Sequence, residues 1–181
     1  MTNFIEMIKN RRSIRKFENK PISDDILNQI LEAGQWAQSW ANTQCWELIV
    51  VREEKIKQEL QETMAKGNPA TNSITNAPVL LAVCAKLQTS GYYKGQAPTK
   101  FGDWYMFDLG IFTQNICLAA HSLGLGSVVV GLFDHDKAKE VLNIPTGYEL
   151  VDIIPIGYPA QTPKTPERKN INEFTHYDKF S

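Results

Sequence analysis

The basic segment Arg11-Arg12-Ser13-Ile14-Arg15 carries the strongest chemical signal in the sequence. Its alternating character predicts an extended backbone, in which successive side chains point to opposite faces. Arg11, Ser13 and Arg15 would then share one face, where two guanidinium groups around a hydroxyl suit a phosphate group. The spacing alone equally allows a solvated basic face or an arm that binds nucleic acid.

Two further segments contain residues suited to a binding site. Residues 39–46 (SWANTQCW) stand directly before a predicted strand, where amides and hydroxyls can contact the edge of a planar heterocycle. From spacing alone, an ordinary capped loop with a packed tryptophan fits this segment better. Near the end of the chain, Arg168 and Lys169 could close over an anion, although alone they form only a charged tail.

The common catalytic and metal-binding motifs are not found. Residues 124–126 (GLG) begin like a dinucleotide-binding fingerprint, but Val129 stands where the next glycine is required, and the segment follows a predicted helix instead of opening one. Cys45, Cys84 and Cys117 lack the spacing of a disulfide framework or a zinc site. We therefore expect no metal, and the apolar neighbours of Cys84 and Cys117 predict that these two are buried, inert thiols.

The hydrophobic pattern alternates strands with helices, which predicts a three-layer α/β domain and leaves the order of the strands open. Residues 87–102 are expected to form a mobile loop, and residues 160–181 an extended C-terminal arm. The predicted helices are 3–10, one capped by Ser23, 53–66, 103–123 and one from Asp134; the predicted strands are 46–51, 78–85, 126–131 and 150–157. The helix at 103–123 is apolar on nearly every side, so its own domain or a partner must cover it.

Composition narrows the class of protein. With 181 residues and 43% hydrophobic content, the chain predicts a single globular domain. A formal net charge of −1 lacks the basic excess of a nucleic-acid-binding protein. The N-terminus does not resemble a signal peptide, and the apolar run at 104–125 has too many polar residues for a membrane span. We expect a cytoplasmic protein without nucleic-acid or membrane partners.

Taken together, these segments resemble the nitroreductase family of flavin mononucleotide (FMN) oxidoreductases over essentially the whole chain. The motifs that carry the resemblance are RRSIR at 11–15, QSWANTQCW at 38–46, the QN and AA pairs of the long helix with LGLG at 123–126, IPTGY at 144–148, IPIGYP at 154–159 and PERK at 166–169. Each motif is weak alone, but their order and spacing are specific. Members of the family commonly have proline where this chain has Gln38 and Cys45. We therefore expect the rim of its flavin-binding pocket to differ from that of other members.

The resemblance implies a nitroreductase-like fold, an α+β three-layer α/β/α sandwich with a mixed central sheet. Residues 1–181 would form one FMN-binding domain. The resemblance also implies a homodimer that holds two FMN molecules at the subunit interface, with the arm wrapped around the partner. Three positions would hold the FMN phosphate: Arg11, Arg15, and Arg168 or Lys169. Arg12 and Ser13 would contact the phosphate, the ribityl chain or the ring edge.

Other contacts implied by the resemblance involve the flavin ring. Four residues would approach it from the other subunit: Gln38, Ser39, Trp40 and Asn42. The backbone of Val130-Gly131-Leu132 would lie near the reactive N5 atom, and either Asn68 or Asn72 would contact the ring. The exposed face of the apolar helix would be covered in the dimer.

The activity that the resemblance implies is a ping-pong reaction. NADH or NADPH passes a hydride to flavin N5, and a small electron-poor acceptor such as a nitroaromatic or a quinone is then reduced in the same space. No side chain needs to act as an acid or base, since the flavin performs the chemistry. Two alternatives remain: another flavin reaction such as reductive dehalogenation, and a colourless phosphate- or nucleotide-binding module.

Overall fold

The computed structural model describes residues 3–180. Its four-stranded sheet has the order β1-β2-β4-β3, and the strands are β1 (Trp46–Val51), β2 (Val79–Lys86), β3 (Gly126–Ser127) and β4 (Tyr148–Gly157). All three strand pairings are antiparallel. The predicted mixed sheet is therefore corrected, because within residues 3–180 the one parallel pairing is an isolated bridge between Ser13 and Ser127.

Helices cover both faces of the sheet, which confirms the three-layer α+β arrangement. On one face lie α2 (Asp24–Gln35) and α5 (Tyr105–Ser122), with α1 (Phe4–Asn10) beside α5. The other face carries α3 (Glu54–Glu62), α4 (Thr71–Asn76) and α6 (His135–Val141). Alternate residues of β2 supply the two cores, because side chains alternate across a strand.

Two predicted elements are shorter in the structure. The predicted helix at 53–66 ends at Glu62, and α4 follows as a separate helix. Long-range pairing explains this end: Met64 bridges Phe133, and the N–H of Asp134 donates to the carbonyl of Thr63 at 2.8 Å. The predicted strand at 126–131 pairs as a strand only at Gly126–Ser127, and an isolated bridge at Val130 continues the same register.

Helix α5 is only partly covered within one chain. Its 18 residues extend over about 27 Å at roughly 1.5 Å per residue. Met106 and Phe107 are each 60% exposed, and Gly110 has no atom within 4 Å of the position that a Cβ would occupy. The domain therefore leaves the outer face of this helix uncovered.

The loop at 87–102 and the C-terminal arm contain little regular secondary structure. Residues 87–102 contain no helix or named strand, and the arm beyond residue 160 contains a single 3₁₀ turn at Ile171–Glu173. Within the described range, no helix is both long and apolar enough to cross a membrane.

Asp152 on β4 is a buried carboxylic acid that should make stability depend on pH. Its Oδ2 accepts a hydrogen bond from Thr113 Oγ1 at 3.1 Å, whereas its Oδ1 is buried without a partner in residues 3–180. Burial raises the pKa of Asp152 to about 7, against an opposing contribution from Thr113. The native state therefore keeps this proton to higher pH than the unfolded chain, and stability is lost as the pH rises through about 7.

We expect Asp152→Asn to remove that loss. From pH 5 to pH 8, the free energy of unfolding of the variant should rise relative to that of the unsubstituted protein by roughly 3 kcal/mol. Urea unfolding at both pH values measures this difference. Glu62→Gln, an exposed substitution, is the control. A difference between Asp152→Asn and the unsubstituted protein that does not change with pH would contradict the assignment.

Candidate functional site

The basic segment is extended, as its pattern predicted. The N–H of Ile14 donates to the carbonyl of Ser127 at 2.9 Å, and the Ile14 side chain is buried between its polar neighbours. Gly126 allows this close approach, since an added Cβ would lie 2.5 Å from Ile14 Cγ1. The buried isoleucine thus anchors the segment on the core and fixes the direction of the arginines around it.

Arg15 contains a buried polar atom that the protein does not satisfy. Its Nε is buried and has no hydrogen-bond partner in residues 3–180. Buried N–H groups in native proteins almost always have an acceptor, and leaving one unpaired costs about 1–3 kcal/mol. This guanidinium therefore fits a ligand that supplies an oxygen or nitrogen acceptor at this position.

A cationic cavity of about 250 Å³ lies at the C-terminal end of α5, lined in part by Arg11, Arg12 and His121. Burial lowers the pKa of His121, and the positive charges of Arg11 and Arg12 lower it further. Excess positive charge at this cavity favours an anion. The side chain of Arg11 donates to no protein group in the described part of the chain, so its donors are free for such a ligand.

Arg12 uses its hydrogen bonds within the protein. Its Nη1 donates to the carbonyls of Lys9 at 2.5 Å and Arg11 at 2.7 Å, and its Nη2 donates to Thr165 Oγ1. Arg12 therefore links the end of α1 to the start of the arm, and the arm passes beside the cavity at residues 161–163.

The segment at 38–46 forms a strained turn fixed by a buried carboxylate. Ala41, Asn42 and Gln44 have positive φ angles of 45°, 56° and 47°, a region that non-glycine residues seldom adopt. Asp108, only 1% exposed, accepts from the N–H of Trp40 at 3.0 Å. Ser39 Oγ also accepts from the N–H of Gln44 at 3.0 Å.

Asp108, which lies on α5, also joins this turn to the 87–102 loop. Its Oδ2 accepts from Ser90 Oγ at 2.6 Å and lies 3.7 Å from Cys45 Sγ. Burial, and then the charge of Asp108, raise the pKa of the Cys45 thiol to about 12, so its thiolate form is disfavoured. Asp108 thereby fixes the turn, the 87–102 loop and α5 relative to one another.

We expect Asp108→Asn to destabilise the turn. Both carboxylate oxygens of Asp108 accept hydrogen bonds, from Trp40 and Ser90. In asparagine an NH₂ donor replaces one of these oxygens and would face another donor, which should lower the free energy of unfolding by about 1–3 kcal/mol. Urea unfolding measures the loss, and Asp136→Asn, exposed on α6, is the matched control. Equal stability of the two variants would contradict this role.

Aromatic residues surround the turn. The rings of Trp40 and Trp104 lie 5.1 Å apart, and Phe101 and Phe107 meet Trp104 edge-on at 5.8 and 5.5 Å. A cavity of about 180 Å³ opens here, lined by Gln38, Ser39, Trp40, Trp104, Phe107, Asp108 and Ile111. Of the predicted turn residues, Gln38 and Asn42 are exposed, and Ser39 and Trp40 are half-buried.

The turn and the cationic cavity lie at opposite ends of α5. Asp108 contacts the turn and His121 lines the cavity, so about 20 Å of helix at 1.5 Å per residue separates them. One chain therefore presents two separate half-sites and does not bring its own predicted residues into a single cluster.

The turn at 130–132 is fixed through its carbonyls. Val130 pairs with Ile153 through both backbone groups, at 2.9 and 3.0 Å, and the carbonyl of Leu132 accepts from Asn68 Nδ2 at 2.9 Å. Within residues 3–180, the N–H groups of Gly131 and Leu132 donate to no protein group. Two backbone donors thus remain available beside Leu132, whose side chain is 63% exposed.

The remaining predicted residues are placed as follows. Asn68 lies at the 130–132 turn, whereas Asn72 is exposed on α4. Arg168 and Lys169 are exposed on the arm, and the Nη1 of Arg168 donates to the carbonyls of Pro166 and Glu167. The described chain does not bring these two cations to Arg15.

Comparisons with known proteins identify the family. The model for the nitroreductase family matches residues 8–158. The NADPH-flavin oxidoreductase of Vibrio harveyi is 30% identical over 185 residues, which cover 99% of this chain and 75% of that relative. The chain belongs to the nitroreductase family, so the resemblance found in the sequence is confirmed.

Solved structures support the same fold. The NADPH:FMN oxidoreductase from Vibrio harveyi, complexed with NAD⁺, matches with a TM-score of 0.83 at 28% identity, over 98% of this chain and 77% of that chain. An FMN-dependent nitroreductase from Clostridium difficile matches with a TM-score of 0.81 at 27% identity, over 98% and 100% of the two chains. The nitroreductase-like fold is therefore confirmed.

Sequence reasoning missed the residues that fix the site from a distance. Asp108 lies in the first turn of the apolar helix α5. A carboxylate at that position is commonly explained by its favourable interaction with the helix dipole, so it did not indicate a buried hydrogen-bonding role. In the sequence, His121 and His135 belong to no recognisable metal-binding or catalytic motif. A charged residue on an otherwise apolar helix was the one available signal, since such a residue must find polar partners when buried.

Proposed function

We propose that this protein is a homodimeric FMN enzyme that uses NADH or NADPH to reduce electron-poor acceptors such as nitroaromatics or quinones. Membership of the nitroreductase family supports FMN as the cofactor and NAD(P)H as the reductant, as do the names of the two relatives described above. When bound, the flavin accepts a hydride at N5 from the nicotinamide and passes the electrons to the acceptor that replaces it.

The single observation that carries this proposal is the unsatisfied, buried Nε of Arg15, which lies four residues after Arg11 on the same extended segment. Both groups donate hydrogen bonds and carry positive charge, and the FMN phosphate and the carbonyl edge of its ring are acceptors. Guanidinium groups suit such oxygens because their donors are planar and permanently charged. In this proposal Arg11 and Arg15 hold the anionic parts of FMN, and Ser13 adds a hydroxyl between them.

The separated half-sites support the dimer. In the proposed assembly, Arg11, Ser13 and Arg15 of one chain meet the turn at 38–42 of the other. The turn then supplies Ser39, Trp40 and Asn42 to the ring, with Gln38 at the rim. Two such sites form in a twofold dimer, and the contact would cover the exposed face of α5.

The backbone at 130–132 completes the proposed site. The free N–H groups of Gly131 and Leu132 would donate to the ring near N5 and stabilise negative charge on the reduced flavin. Asn68 and the pairing of Val130 with Ile153 hold this backbone in place. Preorganised donors need little rearrangement when charge develops, so the chain provides orientation and electrostatics but no acid or base.

The proposal is tested by an anaerobic visible spectrum of FMN-reconstituted protein before and after addition of NADH or NADPH. We expect flavin bands that bleach with one of the nicotinamides and return with a quinone or a nitroaromatic. Bound flavin that neither nicotinamide reduces would contradict the reductant and indicate other flavin chemistry. A colourless protein would contradict the flavin site itself and favour the phosphate-binding alternative.

A further inference from the structure

His135, the first residue of α6, connects the 130–132 turn to the central sheet through both ring nitrogens. Its Nε2 lies 3.1 Å from the carbonyl oxygen of Gly131, and its Nδ1 lies 2.8 Å from the carbonyl oxygen of Leu150 on β4. Both partners are backbone oxygens, which can only accept hydrogen bonds.

This geometry is best satisfied by a ring that donates from both nitrogens. A neutral imidazole donates through one nitrogen and presents a lone pair at the other, so one of the two carbonyls would face a lone pair. The doubly protonated imidazolium donates to both. The ring of Phe133 stacks on His135 with centroids 4.0 Å apart, which adds the contact of a cation with an aromatic face.

Within residues 3–180, both lysines of α6 are paired with carboxylates, so neither is an unpaired positive charge that would oppose a positive charge on His135. Asp134 precedes it, and the pKa of Asp134 lies below its usual range, chiefly because Lys137 donates to the carboxylate and in smaller part because His135 is near. Lys137 is paired with Asp134 at 2.8 Å, and Lys139 is paired with Glu149 at 3.1 Å. The next residue, Asp136, is a further carboxylate.

The carbonyl of Gly131 and the N–H of Leu132 belong to the same peptide group. A charged donor on that carbonyl polarises the peptide, because hydrogen bonds in a chain strengthen one another, and it makes the free N–H a stronger donor. The imidazolium can therefore act on a ligand that it does not touch.

We propose that His135 is held as an imidazolium between Gly131 and Leu150 and, through the Gly131–Leu132 peptide, strengthens the backbone donor that faces the flavin. This inference rests on the proposed function, which places that turn beside N5. His135 is then a positioning residue that favours the reduced over the oxidised flavin, since negative charge grows on the ring when it is reduced.

Two measurements on the full-length protein test the proposal. In a long-range ¹H–¹⁵N correlation spectrum at pH 7, both ring nitrogens of His135 should show the shifts of a protonated imidazolium, and a neutral tautomer would overturn the proposal. In the second, the FMN midpoint potential is measured for His135→Gln, which is neutral, and for His135→Leu. We expect reduced FMN to lose about tenfold in affinity relative to oxidised FMN, which lowers the potential by about 30 mV.

The variants and controls separate the possible results. His176→Gln, on the arm, controls for the loss of a histidine and should leave the potential at its original value. An unchanged potential in His135→Gln would overturn the proposal even if His135→Leu fails to fold. Protein that binds no FMN would overturn the proposed function, and the NMR spectrum of the unsubstituted protein would still decide the protonation of His135.

Discussion

Replacing Arg15 with alanine should lower the affinity for FMN by about 100-fold or more. The Nε of this guanidinium is buried, and no protein group in residues 3–180 accepts from it, so a bound ligand with an oxygen acceptor would gain a hydrogen bond that the protein leaves unmade. Charge-assisted hydrogen bonds contribute about 1.5–3 kcal/mol each, and about 1.4 kcal/mol corresponds to a tenfold change in affinity. Fluorescence titration of FMN with apoprotein measures the loss.

The stability of the apoprotein separates a binding role from a structural one. Because Arg15 Nε has no partner in the described chain, Arg15→Ala should leave the free energy of unfolding without FMN unchanged or slightly higher. Arg15→Lys keeps the charge but loses the planar fork, so its affinity should be intermediate. Arg52→Ala, which removes an exposed ion pair with Asp24, is the matched control. Unchanged FMN affinity in Arg15→Ala would contradict the cationic half-site.

Substituting Gly110 with arginine should convert the proposed dimer to a monomer and remove FMN with it. Within one chain the change is harmless, because no atom lies within 4 Å of the new Cβ and most residues favour a helix more than glycine does. In the proposed dimer the outer face of α5 is covered, and an arginine there would bring a bulky charge into an apolar contact with Met106 and Phe107 nearby.

Light scattering with size-exclusion chromatography, together with the flavin absorbance of each peak, measures both effects. Gln58→Arg, on the exposed side of α3, adds the same side chain to a solvated helix and should remain dimeric with bound FMN. A Gly110→Arg protein that is folded, dimeric and saturated with FMN would contradict the interface on α5.

Local patterns were sufficient for much of the fold. Ser23 caps α2 as predicted, since its side chain accepts from the N–H of Ile26. The helix predicted from Asp134 begins at His135, and Asp134 is its N-cap, which accepts from the N–H of Lys137. The strand at Trp46–Val51 was predicted to the residue. These features depend on neighbours within four residues or on a simple alternation, so the sequence contains the necessary information.

Contacts between distant segments account for what the sequence did not reveal. The end of α3 is set by the pairing of Met64 with Phe133. The antiparallel direction of the sheet depends on the pairing of β2 with β4, two strands that are far apart in the sequence. The turn that holds Ala41 and Asn42 at positive φ angles is fixed at Trp40 by hydrogen bonds to Asp108, which lies far away in sequence. No local propensity predicts such angles for an alanine.

The site was predictable in part for the same reason. The extended arginine segment has a local signature, and the buried Ile14 between polar residues confirms its alternation. The roles of the individual residues toward FMN stay predictions, as does the dimer. Arg12 illustrates the difference: its type suits a phosphate, yet within one chain its donors bind Thr165 and two backbone carbonyls.

The most direct test of a flavin site shared between two chains is the FMN content of a mixed dimer. One chain carries Arg15→Ala, the other carries Trp40→Ala with Asn42→Ala, and different affinity tags allow the mixed dimer to be purified. Each homodimer has two damaged sites and should bind no FMN. In the mixed dimer, one site combines the intact arginines of one chain with the intact turn of the other, so we expect one FMN per dimer. A mixed dimer without FMN would contradict the shared site and show that each chain builds its site alone.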